Sequence, residues 1–236
     1  MTLPASAPGA PDTAVLVPAA GRGERLGVGV PKALCRLAGE PLLVHAVRRL
    51  AAARCVAVIV VAAPPDAVDG VRDLLKPVSG MVPVTVVPGG ASRQASVAAA
   101  LAAVPADLPI VLVHDAARPL TPPELVDEVA AAVRAGHDAV IPVLPVVDTV
   151  KRVDAAGAVL GTVDRAPLRA VQTPQGFSHA TLRAAHAAAD IDATDDAGLA
   201  ERIGVVVHTV PGRAEALKVT RPFDLVVAEA LLGAGR

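Results

Sequence analysis

Short apolar runs bounded by glycine and proline recur along the chain. They are rich in valine and isoleucine, and they occupy residues 14–17, 56–61, 84–87, 110–113, 139–143 and 205–210. Continuous runs of β-branched residues predict strands that are buried on both faces, as in a mostly parallel sheet.

Alanine-rich stretches with helical periodicity lie between these runs, at residues 42–53, 92–104, 124–135, 182–189, 195–203 and 224–232. Thr121 and Glu124 have the spacing of a capping box, and Ser92, Thr194 and Thr220 are candidate N-caps. The alternation of strands and helices predicts βαβ units, and hence a three-layer α/β/α fold of the Rossmann-like kind.

One stretch, about residues 143–169, interrupts this alternation. Two β-like runs, 146–153 and 158–163, flank a turn that contains Gly157. The pattern predicts a protruding β-arm. An isolated hairpin is only marginally stable, so the arm needs a surface to pack on. A partner subunit is the natural candidate for that surface. We expect one domain over residues 13–236 that includes the arm, after a disordered tail rich in proline and alanine at residues 1–12.

The composition narrows the class of protein. Hydrophobic residues make up 53% of the chain, aromatic residues 1%, and the formal net charge is -1. The near absence of aromatic side chains and the lack of a net positive charge argue against nucleic-acid and membrane partners. Cys35 and Cys55 are isolated, so we expect buried thiols and a cytoplasmic location.

The strongest local signal is the loop that follows the first strand. It contains Gly21, Gly23, Gly27 and Gly29, together with three cations, Arg22, Arg25 and Lys32. Glycines allow backbone N–H groups to surround phosphate oxygens, so the loop predicts a triphosphate site. The dinucleotide pattern GxGxxG fails at Leu26, and the Walker pattern fails because Lys32 precedes Ala33.

A second polar cluster, His114, Asp115 and Arg118, follows the fourth apolar run. In open α/β sheets, ligands bind at the carboxyl ends of strands. Asp115 could therefore bind a sugar hydroxyl or lie near a magnesium ion, or it could pair with Arg118 to order the turn.

In order along the chain, the motifs are PAAGRGERL with PK, GGASRQASV, HDAARP, VVDTVKR, TVDR, TPQGF, TDDA and LKVTRP. This ordered set closely resembles the 2-C-methyl-D-erythritol 4-phosphate cytidylyltransferase family over nearly the whole chain. The resemblance implies a nucleotidyltransferase fold, a homodimer joined through the arm, CTP as co-substrate and Mg²⁺ as a cofactor with unknown ligands. Two residues depart from the family pattern. Ala91 lies beside the base-binding glycines, and Ala216 lies two residues before Lys218.

The resemblance also implies site residues. Those for catalysis are Arg25, Lys32, Arg165 and Lys218. Those around the nucleotide are Pro18, Ala19, Ala20, Gly21, Gly23, Gly90, Ser96, Asp115 and Ala116. Those for the acceptor are Arg118, Thr149, Arg165 and Lys218.

Three other functions compete with this hypothesis. A ribitol 5-phosphate cytidylyltransferase would have similar loops and a different acceptor. A non-catalytic nucleotide-binding module would have lost a cation at Arg25, Lys32, Arg165 or Lys218, and all four are present. A dinucleotide-dependent oxidoreductase is disfavoured by the failed GxGxxG pattern.

Overall fold

The computed structural model describes residues 10–21, 31–189 and 193–234. The strands in these ranges are β1 Thr13–Pro18, β2 Arg36–Leu37, β3 Glu40–Pro41, β4 Val56–Ala63, β5 Val84–Pro88, β6 Ile110–Val113, β7 Ala139–Pro145, β8 Val150–Val153, β9 Val159–Val163, β10 Arg169–Val171, β11 Gln175–Ser178 and β12 Val207–Pro211. The α-helices are α1 Leu42–Ala51, α2 Val68–Leu75, α3 Arg93–Leu101, α4 Pro123–Arg134, α5 His179–Ala187, α6 Asp196–Arg202 and α7 Pro222–Ala234.

The main sheet has the strand order β10-β7-β11-β6-β1-β4-β5, and β12 also pairs with β7. The pairs β1–β4, β1–β6, β4–β5 and β7–β12 are parallel. Strands β10 and β11 run antiparallel to their neighbours. The sheet is therefore mixed, with a parallel half formed by the valine-rich runs.

Alternate residues of each central strand face opposite layers. In β1, Val15 and Val17 pack with α1, α2 and α4, whereas Ala14 and Leu16 pack with α3, α5 and α6. Both sets are fully buried, which explains why these strands have apolar residues at every position. The predicted three-layer α/β/α arrangement is confirmed.

The helix starts differ in detail from the sequence-based expectations. The Ser92 side chain accepts from the backbone N–H of Ala95, as expected. The predicted capping box at Thr121 is wrong, because its hydroxyl donates to the carbonyl of Arg118 instead. Helix α6 is capped by Asp195 rather than Thr194.

The predicted hairpin is present as β8 and β9, a two-stranded sheet that is separate from the main one. Its turn is held by Asp154, whose carboxylate accepts from two backbone N–H groups at 3.0 and 2.8 Å. Gly157 has φ +86°, a left-handed conformation that glycine adopts without strain. The arm leaves and rejoins the main sheet where Pro145 pairs with Arg169.

Most of the proposed N-terminal tail lies outside the described residues. Asp12, its last residue, donates its backbone N–H to the carbonyl of Cys55 and forms an ion pair with Arg134. Cys35 and Cys55 are both buried free thiols, as expected. Within the described ranges, no helix combines the length and hydropathy that crossing a bilayer requires.

Candidate active site

Three loops leave the carboxyl ends of parallel strands at one edge of the sheet. Their first residues, Ala19, Gly89 and His114, each donate a backbone N–H to a carbonyl of the adjacent strand, at 2.8, 2.7 and 2.8 Å. The backbones of the loops after β1, β5 and β6 are therefore tied to the sheet where they begin. This is the edge at which open α/β folds bind ligands.

The loop after β5 packs closely on its surroundings. A Cβ at Gly89 would lie 2.6 Å from Cβ of Ala20, in the loop after β1. The backbone N–H of Gly90 donates to Oγ of Ser96 at 3.2 Å, and the Ser96 hydroxyl donates to the Ser92 carbonyl at 2.9 Å. Glycine is thus required here by a close approach between loops.

Asp115, the second residue after β6, lies at the centre of the charged groups. Its Oδ2 is 2.6 Å from Nζ of Lys218, and its Oδ1 is 3.4 Å from Nε of Arg93. Burial alone would raise the pKa of this carboxyl, but Arg93 and Lys218 outweigh that effect and hold its pKa far below the usual range. The site therefore contains a fixed carboxylate between two cations.

Arg93 also reaches a second buried carboxylate. Its Nη1 donates to Oδ2 of Asp196 at 2.7 Å, and His186 Nε2 lies 2.9 Å from the other oxygen of Asp196. Burial lowers the pKa of Arg93, yet the two carboxylates raise it above its ordinary value, so it remains a cation. A continuous chain of charged groups runs from Lys218 through Asp115 and Arg93 to Asp196, and His186 contacts its far end.

A second set of buried bonds orients the loop that carries Asp115. The backbone N–H of Asp115 donates to Oγ1 of Thr173 at 3.0 Å, and that oxygen lies 3.2 Å from Nδ1 of His114. His114 Nε2 lies 3.2 Å from the Arg118 carbonyl, which can only accept, so Nε2 carries the proton. Complete burial lowers the pKa of His114 to about 4, which keeps the ring neutral.

The segment before Lys218 is held by its backbone carbonyls. Arg118 donates to the carbonyl of Ala216 at 2.6 Å and to that of Val171 at 3.1 Å. The side-chain amide of Gln172 bonds to both the N–H and the carbonyl of Arg213, at 3.0 and 2.9 Å. These bonds tie down the backbone of the segment that presents Lys218 to Asp115.

Together these groups can hold a polyanionic substrate at a water-accessible edge of the sheet. The Lys218 side chain keeps 41% of its area exposed, so its charge can meet a ligand. The hydroxyl of Thr173 lies beside Nδ1 of His114, but both residues are buried, so this pair does not face a ligand as an activated nucleophile would. The arrangement suits a reaction in which the substrate supplies its own nucleophile.

Comparison with known proteins decides the family. A model of the family described as "IspD: 2-C-methyl-D-erythritol 4-phosphate cytidylyltransferase" matches residues 13–234. A protein of that name from Frankia casuarinae is 62% identical over 222 residues, which are 94% of this chain and 82% of the relative. The chain belongs to this family.

Solved structures agree with that assignment. The 2-C-methyl-D-erythritol 4-phosphate cytidylyltransferase of Thermus thermophilus has 42% identity and a TM-score of 0.76, over 92% of this chain and 97% of that one. The 4-diphosphocytidyl-2C-methyl-D-erythritol synthase of Anaerococcus prevotii has 26% identity and a TM-score of 0.80, over 94% and 98%. The expected cytidylyltransferase fold and enzyme class are thereby confirmed.

The structure of this family member places the expected site residues in three groups. At the common edge, or in the segments beside it, lie Pro18, Ala19, Ala20, Gly21, Gly90, Ser96, Asp115, Ala116, Arg118 and Lys218. Lys32 begins a 3-10 turn, Lys32–Leu34, after the glycine-rich loop. Gly23 and Arg25 lie outside the described residues.

The arm residues form the third group. Thr149 and Arg165 are exposed, and Arg165 donates to the carbonyl of Val147 within the arm. In the described part of the chain, no hydrogen bond or ion pair joins either residue to Asp115 or Lys218. Their expected contact with the acceptor stays a prediction.

The sequence left open whether Asp115 binds a ligand or pairs with Arg118 to order the turn. The backbone N–H of Arg118 does donate to the Asp115 carbonyl, at 2.9 Å. The guanidinium, however, bonds to two carbonyls, and the Asp115 carboxylate pairs with Lys218 and Arg93. The turn is ordered by its backbone, which leaves the carboxylate available to the site.

Sequence reasoning missed the roles of Arg93, Asp196 and Gln172. Arg93 and Asp196 lie within the GGASRQASV and TDDA motifs, but neither residue was assigned a role from the sequence. Ala216, which departs from the family pattern, is fully buried, and its carbonyl accepts from Arg118.

Proposed function

We propose that the chain transfers CMP from CTP to 2-C-methyl-D-erythritol 4-phosphate, which yields 4-diphosphocytidyl-2-C-methyl-D-erythritol and pyrophosphate in isoprenoid biosynthesis. The observation that carries this proposal is the family match along residues 13–234. The charged cluster around Asp115, at the ligand-binding edge of the sheet, supports it independently.

The reaction needs no protein nucleophile. An oxygen of the acceptor phosphate attacks the α-phosphorus of CTP, the new P–O bond forms, and the bond to the β-phosphate breaks with its electrons leaving on pyrophosphate. A phosphate monoester has a second pKa of about 6, so the attacking oxygen is already anionic near neutral pH. The task of the protein is to align two anions and to stabilise the charge on the leaving group.

Arg25 and Lys32 are the proposed catalytic cations on the triphosphate. At about 4 Å, two unit charges interact by about 4 kcal/mol when the effective dielectric constant is about 20. The backbone of Pro18 to Gly21 would line the nucleotide, and Gly90 with Ser96 would border the cytosine. Asp115 and Ala116 would lie beside the ribose and the acceptor.

Lys218 and Arg165 are proposed to bind the acceptor phosphate, with Thr149 and Arg118 beside them. The partial exposure of Lys218 and its fixed position on Asp115 support its part. Arg118 is buried, and its contacts are with carbonyls, so its support for the acceptor acts through the loop that carries Lys218.

A divalent cation is part of the proposal. Magnesium usually keeps several waters and binds one or two carboxylates together with substrate phosphates. The described residues contain no group of three or more His, Cys, Asp or Glu side chains that could hold a metal. Asp115 could supply the single carboxylate that magnesium needs beside substrate phosphates, since its Oδ1 has only a 3.4 Å contact with Arg93. When bound, the ion would neutralise charge on the triphosphate.

A homodimer joined through the arm is also proposed. The arm presents apolar side chains to the surface, with Val153 52%, Val159 62% and Leu160 57% exposed. Exposed apolar clusters of this kind are typical of protein interfaces. Sedimentation of the purified protein tests the idea, and a fully active monomer would contradict it.

We place the enzyme in the cytoplasm, a proposal that its free buried thiols support.

The proposed reaction is tested by pyrophosphate release with CTP, ATP, GTP or UTP, in the presence of 2-C-methyl-D-erythritol 4-phosphate, ribitol 5-phosphate or no acceptor. We expect release only with CTP and the methylerythritol phosphate. Release that prefers ribitol 5-phosphate would overturn the choice of acceptor, and release without any acceptor would overturn the transfer itself.

Kinetics of Lys32→Ala test the catalytic role of that cation. Loss of one preorganised contact typically lowers kcat by about 10²–10³-fold. Lys76→Ala is the matched control, because Lys76 pairs with Asp73 and its side chain is 71% exposed. Near-normal turnover of Lys32→Ala, with only a raised KM, would refute the role.

A further inference from the structure

Asp196 lies at the far end of the chain of charges that starts at Lys218. Its side chain is 1% exposed, and each of its oxygens has a partner: Arg93 Nη1 at 2.7 Å and His186 Nε2 at 2.9 Å. It is contributed by the first turn of α6, on the sheet face opposite to α1, α2 and α4. It is also screened from any ligand by its burial, so it acts through its neighbours.

Arg93 is shared unequally between two carboxylates. It lies 2.7 Å from Asp196 but 3.4 Å from Asp115, while Lys218 lies 2.6 Å from Asp115. A guanidinium is a planar fork with donors at fixed angles, so its firm bond on one side limits how closely it can approach on the other. Because Arg93 is bonded to Asp196, it forms only a long contact with Asp115, and Lys218 is the close partner of the Asp115 carboxylate.

A buried ion pair is weak evidence for a role in stability. The cost of removing two charges from water can cancel their attraction, and apolar replacements are often as stable. The geometry here instead links α6 to the ligand-binding edge through a single side chain. A role in placing charges accounts for that link better than a role in holding the fold together.

We propose that Asp196 is a positioning residue for nucleotidyl transfer. By holding Arg93 away from Asp115, it keeps the Asp115–Lys218 pair in the arrangement that receives the acceptor. Without its charge, Arg93 would close on Asp115 and displace Lys218. The inference rests on the proposed function, because it assigns a task to Lys218.

The test is Asp196→Asn, which keeps the size of the side chain and removes its charge. A displacement of about 1 Å can cost up to about 10² in rate, so we expect kcat/KM for the acceptor to fall about tenfold at saturating CTP. The Kd of CTP, measured by calorimetry, should change by less than about threefold, since the loop of Gly90 and Ser96 is untouched.

Asp195→Asn is the matched control. Asp195 caps the same helix and bonds to Gln175 at 2.7 Å and to the Gly198 N–H at 3.0 Å, and neither of these partners is Arg93. Asparagine can keep the cap on Gly198, but its Nδ2 would face the donor Nε2 of Gln175, so this variant disturbs the same buried helix start without touching Arg93. We expect its kcat/KM to stay within about twofold of the wild type. Equal losses in both variants would overturn the proposal.

Arg93→Lys provides a second route to the same question, and it is the decisive variant if Asp196→Asn does not fold. Lysine keeps the charge but lacks the fork, so the loss should match that of Asp196→Asn. The double variant should be no slower than the slower single one, because both changes break one link. Losses that multiply would overturn the proposal.

The two hypotheses fail in different ways. A wild-type protein that releases no pyrophosphate with CTP and the methylerythritol phosphate would reject the proposed function. An active wild type with an unimpaired Asp196→Asn variant would reject only the positioning role.

Discussion

Nζ of Lys218 lies 2.6 Å from Oδ2 of Asp115, although the two residues come from opposite halves of the chain. Asp115 follows β6, and Lys218 follows the buried turn at Ala216, whose carbonyl is held by Arg118. The pair brings a partly exposed cation to the carboxyl edge of the sheet, next to the proposed nucleotide loops.

The charge of Lys218 should matter more for the acceptor than for CTP. We expect Lys218→Gln to lower kcat/KM for the acceptor by about 10²-fold, the usual effect of losing a preorganised charged contact. Lys218→Arg retains a cation and should lose less. Initial rates with the acceptor varied at saturating CTP provide the measurement. A loss expressed only in the KM of CTP would contradict this assignment.

Gly90 is expected to tolerate no side chain. A Cβ there would overlap Cβ of Ala95 and lie 3.0 Å from its carbonyl carbon, so Gly90→Ala must move the loop that borders the proposed cytosine site. We expect CTP affinity, measured by calorimetry, to fall by about tenfold or more. Gly80→Ala is the control, since a Cβ at Gly80 meets no atom within 4 Å. Equal affinities in the two variants would refute the expectation.

Arg118 should be important for stability as well as for the site. Arg118→Lys can satisfy only one of the two carbonyls that Arg118 binds, and a buried group left unpaired costs about 1–3 kcal/mol. Urea unfolding should show a loss of that size. Arg54→Lys is a suitable control, because Arg54 is 80% exposed and its ion pair with Asp127 contributes little. If both variants unfold alike, the carbonyl contacts of Arg118 do not stabilise the fold.

His114 should make stability depend on pH. Its pKa is lowered from 6.5 to about 4 in the folded protein, so the unfolded chain binds the proton first as pH falls. The stabilisation is complete above about pH 6.5 and is lost towards pH 4, by about 3 kcal/mol in total. Asp115 contributes little slope above about pH 5, because the unfolded chain protonates this carboxyl only near its ordinary pKa of 3.8 and the folded protein protonates it at still lower pH.

The comparison of His114→Gln with the wild type isolates this effect. Glutamine can donate to the Arg118 carbonyl and accept from Thr173 as the neutral imidazole does, but it takes up no proton. We expect the free energy of unfolding, measured in urea between about pH 7 and about pH 4.5, to fall less steeply in the variant. Parallel slopes would show that His114 is not the group responsible.

The elements that the sequence predicted well are those with a strong local pattern. Strand β6 matches its apolar run at both ends, and β1 and β5 each begin or end within one residue of theirs. Helix α2 was missed, since it is short and carries Gly70 in its middle. Strand β11 was missed as well, because Gln175–Ser178 contains a single large apolar residue, Phe177.

The site residues also divide into those with a strong local sequence pattern and those without one. Local motifs indicated the phosphate loop, Asp115 and Lys218, because glycines, strand ends and charges are visible in a linear pattern. The linkage of Arg93 to Asp196 is not visible there, since it depends on how α3 and α6 pack on one face of the sheet.

By itself, the sequence determined the α/β class, the three layers and the family, because hydrophobic periodicity and ordered motifs are properties of short segments. Only the tertiary structure decided that β10 and β11 insert antiparallel, that Arg118 supports the turn before Lys218, and that Asp115 takes Lys218 as its partner. These outcomes depend on contacts between distant segments, where burial and charge select one pairing among several that the chain permits.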